Sequence, residues 1–477
     1  MKNKTIIYIS IMAITAISCS SNDKIEQPVN MERVSNESTI IPVDEAIKTL
    51  NNFLADTKMI ATKSGSQREI ASIETHLSDS NKDDTRKSIP DAYLVNFKDE
   101  EGFAILGANT SIDPVIAVIE DGNTSWEEIM NPAEDIPSSF DEDCPDPGIS
   151  PDRLLSIFVN NALTSKPETK AGEIVYGPYD LEILPLTQDL KFNQQVTYCH
   201  KKNRGYVICG CAATALSIAC AYNRYPSFTV DHQPLNHTNC NSADGIGYRY
   251  YVDNHEIYVK TSDYFTNYWA IPSNPTQDQL EDLLETVGPG MHNKHGYSAD
   301  SIISYPFART QFKLISSVFY KLDNIREKWA YTATMPSAVS SLLTEFGYTN
   351  VKSNSSKAIN SSQFERIRSM LENNKPVIIC GWGLSNLRES HYWIIDGLRY
   401  KGDKAYLSCN WGWGGSKNGW FSSDCLDSTK RVTMYDATKS GDTQNNYDNL
   451  IIFTYDLPSS AKNIDVHLIY DRRQKYE

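Results

Sequence analysis

The feature that most constrains the fold of this chain is a change of charge about one third of the way along it. Residues 20–170 hold 29 acidic and 13 basic residues, whereas residues 171–477 hold 31 acidic and 30 basic residues. A chain of 477 residues is also too long for one compact core of ordinary size. Together these observations predict two folding units, an acidic first module and a nearly neutral second module.

The overall charge excludes one class of partner. The chain has 45 Lys and Arg against 60 Asp and Glu, for a net charge of −15. Because binding to phosphates requires a basic surface, nucleic acid is not expected among its partners. Hydrophobic residues make up 40% of the chain, which is typical of globular rather than disordered proteins.

Residues 1–18 have the pattern of a secretory signal, with a short basic start and an apolar stretch too short to span a bilayer as a mature helix. Small residues then lead to Cys19. This arrangement resembles the lipobox of bacterial lipoproteins and implies lipidation of Cys19, with ordinary cleavage near Ser18 as the alternative. Acyl chains on Cys19 would hold the exported protein at a membrane face.

Residues 19–150 are predicted to contain a polar tether followed by a small α+β domain. Apolar residues at helical spacing predict a helix over residues 43–59. Alternating or continuous apolar runs predict strands at residues 93–97, 102–106 and 114–119. This first module should therefore be a small antiparallel sheet with one helix.

Residues 151–171 are predicted to be a linker. The preceding residues 134–151 are rich in Pro and acidic side chains, which favours an exposed connection. Residues 154–163 predict one short helix. The small polar residues 164–172 are predicted to be accessible to proteolysis.

The second module contains an Ala-rich and Leu-rich segment that predicts a helix from Cys211 to about Tyr222. Gly210 permits the turn that enters it, so Cys211 lies at the helix N-terminus, where the partial positive charge favours a thiolate. A thiolate is a candidate nucleophile. The alternative is that Cys211 is a small buried hydrophobe, which is our interpretation of Cys220 and Cys380.

A candidate base follows far downstream. His391 begins a predicted strand that ends in a turn at residues 396–397. Asn410 ends the next predicted strand, where its side chain can hold one imidazole nitrogen and leave the other facing the sulfur. Trp411 would cover that hydrogen bond from water.

Three segments resemble the streptopain family of papain-like cysteine peptidases. They are Gly-Cys-Ala-Ala-Thr-Ala at 210–215, His-Tyr-Trp-Ile-Ile-Asp-Gly at 391–397 and Asn-Trp-Gly-Trp-Gly-Gly at 410–415. Residues 93–122 are similar to the inhibitory propeptide of that family. The resemblance implies an α+β chain in which a small α+β propeptide domain precedes a papain-like two-lobed peptidase domain at 172–458, followed by a C-terminal tail at 459–477.

By position, the resemblance implies the catalytic roles. Cys211 is the nucleophile, and His391 is the general base and acid. Asn410 orients His391, while Gln194 supplies the side-chain amide of the oxyanion hole beside the backbone N–H of Cys211.

The resemblance also implies an endopeptidase made as a zymogen, with no metal or organic cofactor. Its partners would be protein or peptide substrates, its own propeptide as an inhibitor, and a membrane through the lipid on Cys19. We expect it at the bacterial outer membrane or cell surface, with the mature peptidase either tethered or released.

Other interpretations stay open. A zinc site is one, formed by Cys199, His200, Cys209 and Cys211, although that spacing fits no common zinc motif. An oxidising compartment would also permit a disulfide among Cys199, Cys209, Cys220 and Cys240. The chain could instead be a surface binding protein that keeps a peptidase fold without activity. A transglutaminase-like acyl transferase would use the same Cys and His with an amine as acceptor.

Overall fold

The structure is a computed structural model, and it describes residues 40–59, 68–77, 90–132, 149–164, 180–188, 190–194, 198–201, 205–223, 225, 247–252, 255–260, 315, 318–319, 322, 324–327, 332–383, 390–401, 404–429, 432–435, 442–445 and 447–459. The predicted signal with Cys19, the predicted processing segment from residue 165 to 172 and the tail beyond residue 459 lie outside the described residues.

The helices with described bounds include those predicted from the sequence. Their bounds are α1 Val43–Asp56, α2 Trp126–Met130, α3 Pro151–Leu163, α4 Gly210–Asn223, α5 Pro336–Glu345 and α6 Ser361–Glu372. The predicted helices in the first module, in the linker and after Gly210 are thus confirmed as α1, α3 and α4. In the part of the chain that the structure describes, no helix has the length and apolar character required to cross a membrane.

The strands lie in groups between these helices and pair antiparallel, which confirms the α+β class. Their bounds are β1 Ile70–Leu77, β2 Pro90–Phe97, β3 Phe103–Gly107, β4 Ala117–Ile119, β5 Leu181–Ile183, β6 Tyr198–Lys201, β7 Gly205–Ile208, β8 Gly247–Val252, β9 His255–Lys260, β10 Asn324–Glu327, β11 Thr332–Thr334, β12 Thr349–Ser356, β13 Val377–Trp382, β14 His391–Lys401, β15 Lys404–Asn410, β16 Gly419–Ser422, β17 Val432–Tyr435, β18 Asp442–Asn445 and β19 Asn449–Asp456. Strands β2, β3 and β4 correspond to the three predicted in the first module, whereas β1 was not predicted.

One antiparallel sheet runs through both predicted modules. Its strand order is β1-β2-β3-β4-β16-β15-β14-β13-β19-β12, with β5 paired to β14. The seam between the modules is the pairing of β4 with β16, where Val118 lies opposite Trp420. Main-chain hydrogen bonds therefore join the first module to the sheet that carries the candidate site.

Side chains reinforce this seam. Phe53 of α1 packs edge-to-face on Tyr406 of β15, with ring centroids 4.9 Å apart. Asp56 forms an ion pair with Arg399. The carboxylate of Asp113 likewise pairs with Lys404 and accepts a hydrogen bond from Ser422, so buried polar groups of both modules satisfy each other.

Helix α3 belongs to the core of the second module, although the sequence placed it in a linker. Its Phe158 is fully buried and lies edge-to-face on Trp411, with centroids 5.3 Å apart. Ser150 caps the helix through the backbone N–H of Arg153, and Asn161 Nδ2 donates to the carbonyl of Cys425 at 3.0 Å. This helix therefore packs directly beneath the segment that contacts His391.

Strand β14 corrects one prediction about the sheet. The chain does not turn at residues 396–397 but continues as a strand to Lys401. The register with β15 slips between Ile395 and Gly397, which lie opposite Cys409 and Ser408, so Asp396 is the extra residue of a β-bulge. A bulge bends the strand and re-aims a side chain, and this one turns the Asp396 carboxylate toward the segment before β6.

Candidate active site

Cys211 lies at the first turn of α4, as the sequence predicts. Gly210 has φ +80°, a conformation that strains residues with a Cβ. A Cβ added there would lie 3.0 Å from the Cβ of Thr332 on β11. Gly210 therefore meets two requirements at the entry to the helix, the turn itself and the close approach of β11.

The thiol of Cys211 is buried and protonated. Its residue is 9% exposed. Burial raises the pKa of the thiol to about 11, and the backbone N–H groups of Tyr392, Ala212 and Cys211 oppose that effect without overcoming it. The thiolate predicted from the helix N-terminus is thus not the form favoured in this arrangement, because desolvation outweighs the helix and its amides.

His391 is the first residue of β14 and is 1% exposed. Its Nε2 lies 3.0 Å from the carbonyl oxygen of Trp411. Because a carbonyl only accepts hydrogen bonds, Nε2 carries the proton, and Nδ1 of the neutral ring keeps its lone pair. The indole of Trp413 stacks on the imidazole, with centroids 4.4 Å apart and an interplanar angle of 15°.

The imidazole is neutral in this structure. Burial lowers the pKa of His391 to about 3, while the carbonyl of Trp411 partly opposes the shift. Among the described residues, no hydrogen bond joins the thiol of Cys211 to the ring of His391. The link between them is indirect, since the backbone N–H of Tyr392, the residue that follows His391, lowers the pKa of the Cys211 thiol.

Asn410 does not bond to His391, in contrast to its predicted role. Its Nδ2 donates to the Oγ1 of Thr187 at 3.1 Å and to the carbonyl of Leu190 at 3.0 Å. Its Oδ1 accepts from the backbone N–H of Gly412 at 3.3 Å. The amide therefore fixes the chain on both sides of Trp411, whose carbonyl holds His391, and affects the imidazole only through that loop.

Gln194 lies beside the same loop. Its backbone N–H donates to the carbonyl of Gly412 at 2.8 Å. A Cβ at Gly412 would lie 2.9 Å from Thr214 of α4, so the loop, Gln194 and the helix of Cys211 meet closely. The side-chain Oε1 of Gln194 is buried without a hydrogen-bond partner, which marks a polar group available for a ligand in this region.

The buried carboxylate of Asp396 extends the hydrogen bonds of Thr187 and Asn410. The Oδ2 of Asp396 accepts from the backbone N–H of Thr187 at 3.0 Å and from its Oγ1 at 2.6 Å. Asp396 is 2% exposed and Thr187 is fully buried. Burial raises the pKa of Asp396, and the hydrogen bonds from Thr187 oppose that rise. Hydrogen bonds thus run from Asp396 through Thr187 to Asn410.

Sequence reasoning missed three contributors to the site. Trp413 stacks on His391 more closely than Trp393 does, whereas the indole of Trp411 lies farther away and donates to the carbonyl of Lys417 at 2.9 Å. The repeated Trp-Gly of residues 411–414 was the available signal for Trp413. Asp396 follows an apolar run, but Asp-Gly is more typical of a turn than of a strand, and nothing in the sequence marks Thr187.

The alternatives involving the other cysteines are only partly addressed by the structure. Where side chains are described, no group of three or more His, Cys, Asp or Glu has the arrangement of a metal site. Cys199, His200 and Cys240 lie outside the described side chains. Cys220 is a buried free thiol that accepts from the hydroxyl of Tyr348 at 3.7 Å, and Cys380 is also buried and free.

Part of the chain matches a known protein family. Residues 187–421 match the family model described as the Peptidase C10 family. Two solved structures from Prevotella intermedia are similar to the chain. An alanine mutant of a prointerpain A fragment is 16% identical over 81% of this chain and 100% of that one, with a TM-score of 0.41. Active wild-type interpain A cysteine protease is 18% identical over 57% and 94%, with a TM-score of 0.31. A comparison with curated proteins finds no match.

Proposed function

The chain belongs to the Peptidase C10 family, the streptopain family of cysteine peptidases, and from this premise we propose that it is an exported endopeptidase made as a zymogen. Its activity is that of a cysteine peptidase. The observation that carries the assignment of residues is the effect of the Tyr392 backbone N–H, next to His391, which lowers the pKa of the Cys211 thiol.

The structure represents the latent form in this proposal. Cys211 and His391 are 9% and 1% exposed, so little of either side chain is open to a substrate. A thiol with a pKa of about 11 does not give its proton to an imidazole with a pKa of about 3. Activation must therefore uncover the pair, because access of water and substrate removes the desolvation that keeps both groups neutral.

The reaction after activation is acyl transfer to water. Nδ1 of His391 takes the proton of the Cys211 thiol, and the thiolate attacks the peptide carbonyl. The imidazolium then protonates the leaving amine, which yields a thioester. Water, deprotonated by His391, hydrolyses the thioester and regenerates the thiol.

Three groups support this chemistry. The backbone N–H of Cys211 and the side-chain amide of Gln194 donate to the oxyanion of the tetrahedral intermediate. The amide of Gln194 is buried and its Oε1 has no partner, so it can reorient toward a substrate. Asn410 acts through the carbonyl of Trp411, which keeps Nε2 of His391 protonated and Nδ1 free to act as the base.

The test compares residues 20–477 with the Cys211→Ala variant. The wild-type chain should shorten near residues 165–172 and digest casein, and a thiol alkylator should abolish the digestion. The alanine variant should do neither. Trypsin serves as an external activator for both, in case a partner protease makes the first cut.

Three outcomes would overturn the proposal. Equal maturation and casein digestion by the alanine variant would mean that Cys211 is not the nucleophile. A wild-type chain that stays inactive after trypsin treatment would favour the silent binding protein. Incorporation of an added amine in preference to hydrolysis would instead favour the transglutaminase-like acyl transferase.

The proposal includes anchoring through a lipid on Cys19. The basis is the sequence alone, a signal followed by small residues and a cysteine. Metabolic labelling with a fatty acid in a bacterial host should mark the wild-type chain and not the Cys19→Ala variant. Labelling of both variants, or of neither, would exclude the lipobox.

A further inference from the structure

Asp396 is the buried carboxylate that the mechanism above leaves without a role. It is 2% exposed and is the extra residue of the bulge in β14, five positions after His391. In a strand of regular register, the alternation of the pleat alone would set the direction of this side chain. The bulge instead brings its Oδ2 to both the N–H and the hydroxyl of Thr187.

Thr187 connects the Asp396 carboxylate to the side chain of Asn410. Its hydroxyl donates to Asp396 at 2.6 Å and accepts from Asn410 Nδ2 at 3.1 Å. A hydroxyl that donates to a carboxylate becomes a better acceptor, so the two bonds strengthen each other. All three side chains are buried, which leaves the amide of Asn410 few other orientations.

Asn410 then holds the loop that contacts both halves of the site. Its Oδ1 accepts from the N–H of Gly412 at 3.3 Å. The carbonyl of Gly412 accepts from the N–H of Gln194 at 2.8 Å, and the carbonyl of the preceding Trp411 lies 3.0 Å from His391 Nε2. The position of this one loop therefore sets both the orientation of the His391 imidazole and the position of the Gln194 backbone.

We propose that Asp396 is a positioning residue for catalysis, whose carboxylate acts through Thr187 and Asn410 to place His391 and Gln194. The inference rests on the proposed peptidase function. Asp396 touches no reacting atom in this scheme. Its contribution is to the geometry of the transition state and not to the binding of substrate.

The test is a double-mutant cycle in the activated full chain. Asp396→Ala removes the acceptor, and Thr187→Val removes the hydroxyl while keeping the shape of the side chain. Each should lower kcat on fluorescent casein at least about fivefold with KM nearly unchanged, after active sites are counted with an irreversible thiol reagent. The double variant should lose little more than the worse single variant, since both act through one chain of bonds.

Conservative variants and a matched control separate positioning from general stability. Asp396→Asn and Thr187→Ser keep a hydrogen-bonding oxygen and should retain more activity than Asp396→Ala and Thr187→Val. Tyr455→Phe on β19 removes another buried hydrogen bond, from its hydroxyl to the carbonyl of Pro376 at 2.7 Å. This control should lower Tm and leave kcat unchanged.

The outcomes are distinguishable. A fall in Tm with unchanged kcat per titrated site in Asp396→Ala would overturn the inference and leave the peptidase function intact, and so would additive losses in the double variant. If Asp396→Ala does not fold, Thr187→Val alone decides, because it leaves the carboxylate in place. A wild-type chain without thiol-dependent activity would overturn the proposed function, and the inference with it.

Discussion

The Nε2 atom of His391 lies 3.0 Å from the backbone carbonyl of Trp411. This contact fixes the tautomer of the imidazole, because the carbonyl can only accept. It also explains why a side-chain amide is not needed in direct contact with the ring. The backbone carbonyl takes that position, and Asn410 fixes the loop that carries it.

The buried state of His391 predicts a pH dependence of stability. Its pKa falls from 6.5 to about 3 on folding, so between these values the unfolded chain binds a proton that the folded chain does not. The stability present above pH 6.5 is therefore lost as the pH falls toward 3, by an amount on the order of a few kcal/mol.

Thermal unfolding of the latent chain at pH 7, 5 and 4 measures this effect. The Tm of the wild type should fall more steeply than that of His391→Gln, because the other titrating groups are common to both. Parallel curves for the two chains would show that the imidazole titrates normally in the folded protein.

Replacing Gly210 should lower stability and disturb the position of Cys211, the proposed nucleophile. The Gly210→Ala change places a Cβ at φ +80° and 3.0 Å from Thr332, which should cost more than the roughly 1–2 kcal/mol of a left-handed residue alone. Gly122→Ala is the matched control, since Gly122 also has φ +80° but a Cβ there meets nothing within 4 Å.

Urea unfolding and casein digestion should therefore separate the two variants. Gly122→Ala should show only the smaller loss of stability, and Gly210→Ala the larger loss together with reduced activity. Equal losses and equal activities would mean that the approach of Thr332 does not constrain Cys211.

The buried ion pair at the seam between the modules should contribute to the stability of the latent chain. Lys404→Met leaves the carboxylate of Asp113, which is 6% exposed, with the hydroxyl of Ser422 and without its cation. The unfolding free energy of the latent chain should fall by about 1–3 kcal/mol.

Lys98→Met is the control for that change, because it removes an exposed pair with Glu69. It should leave the unfolding midpoint unchanged, as exposed pairs contribute little. A midpoint for Lys404→Met that equals the wild-type value would contradict the role of Asp113 in joining the modules.

The packing of α3 predicts that this helix stays bound to the peptidase domain after the chain is cleaved on its C-terminal side. Phe158 packs on Trp411, and Asn161 bonds to Cys425. After cleavage near residues 165–172, the fragment carrying α3 should elute with the peptidase in native size-exclusion chromatography and separate from it in denaturant. Phe158→Ala, which costs about 3–5 kcal/mol of packing, should weaken this association. An active peptidase that elutes without α3 would contradict the account.

The local features of the chain were predictable because they depend on neighbouring residues. The Ala-rich run after Gly210 gives α4, and apolar runs give β13 and β15. The pairing of β4 with β16 was not predictable, since both are short apolar strands whose partner is chosen by tertiary contacts. The bulge at Asp396 was missed for a similar reason, because Asp-Gly more often marks a turn and only the register with β15 keeps it in a strand.

The site shows the same division. Cys211 and His391 follow from local motifs, whereas the hydrogen bonds of Asn410 depend on Thr187, 223 positions earlier in the chain. The thiol form of Cys211 follows from burial, which a sequence does not give.

The most direct measurement of the central claim is a peptide map of the activated protein treated with a limiting amount of radiolabelled iodoacetamide near neutral pH. The chain has 10 cysteines. The label should enter Cys211 ahead of the others, its incorporation should parallel the loss of casein digestion, and the latent chain should react far more slowly. Full labelling of Cys211 with casein digestion unchanged would contradict the assignment of this residue as the nucleophile.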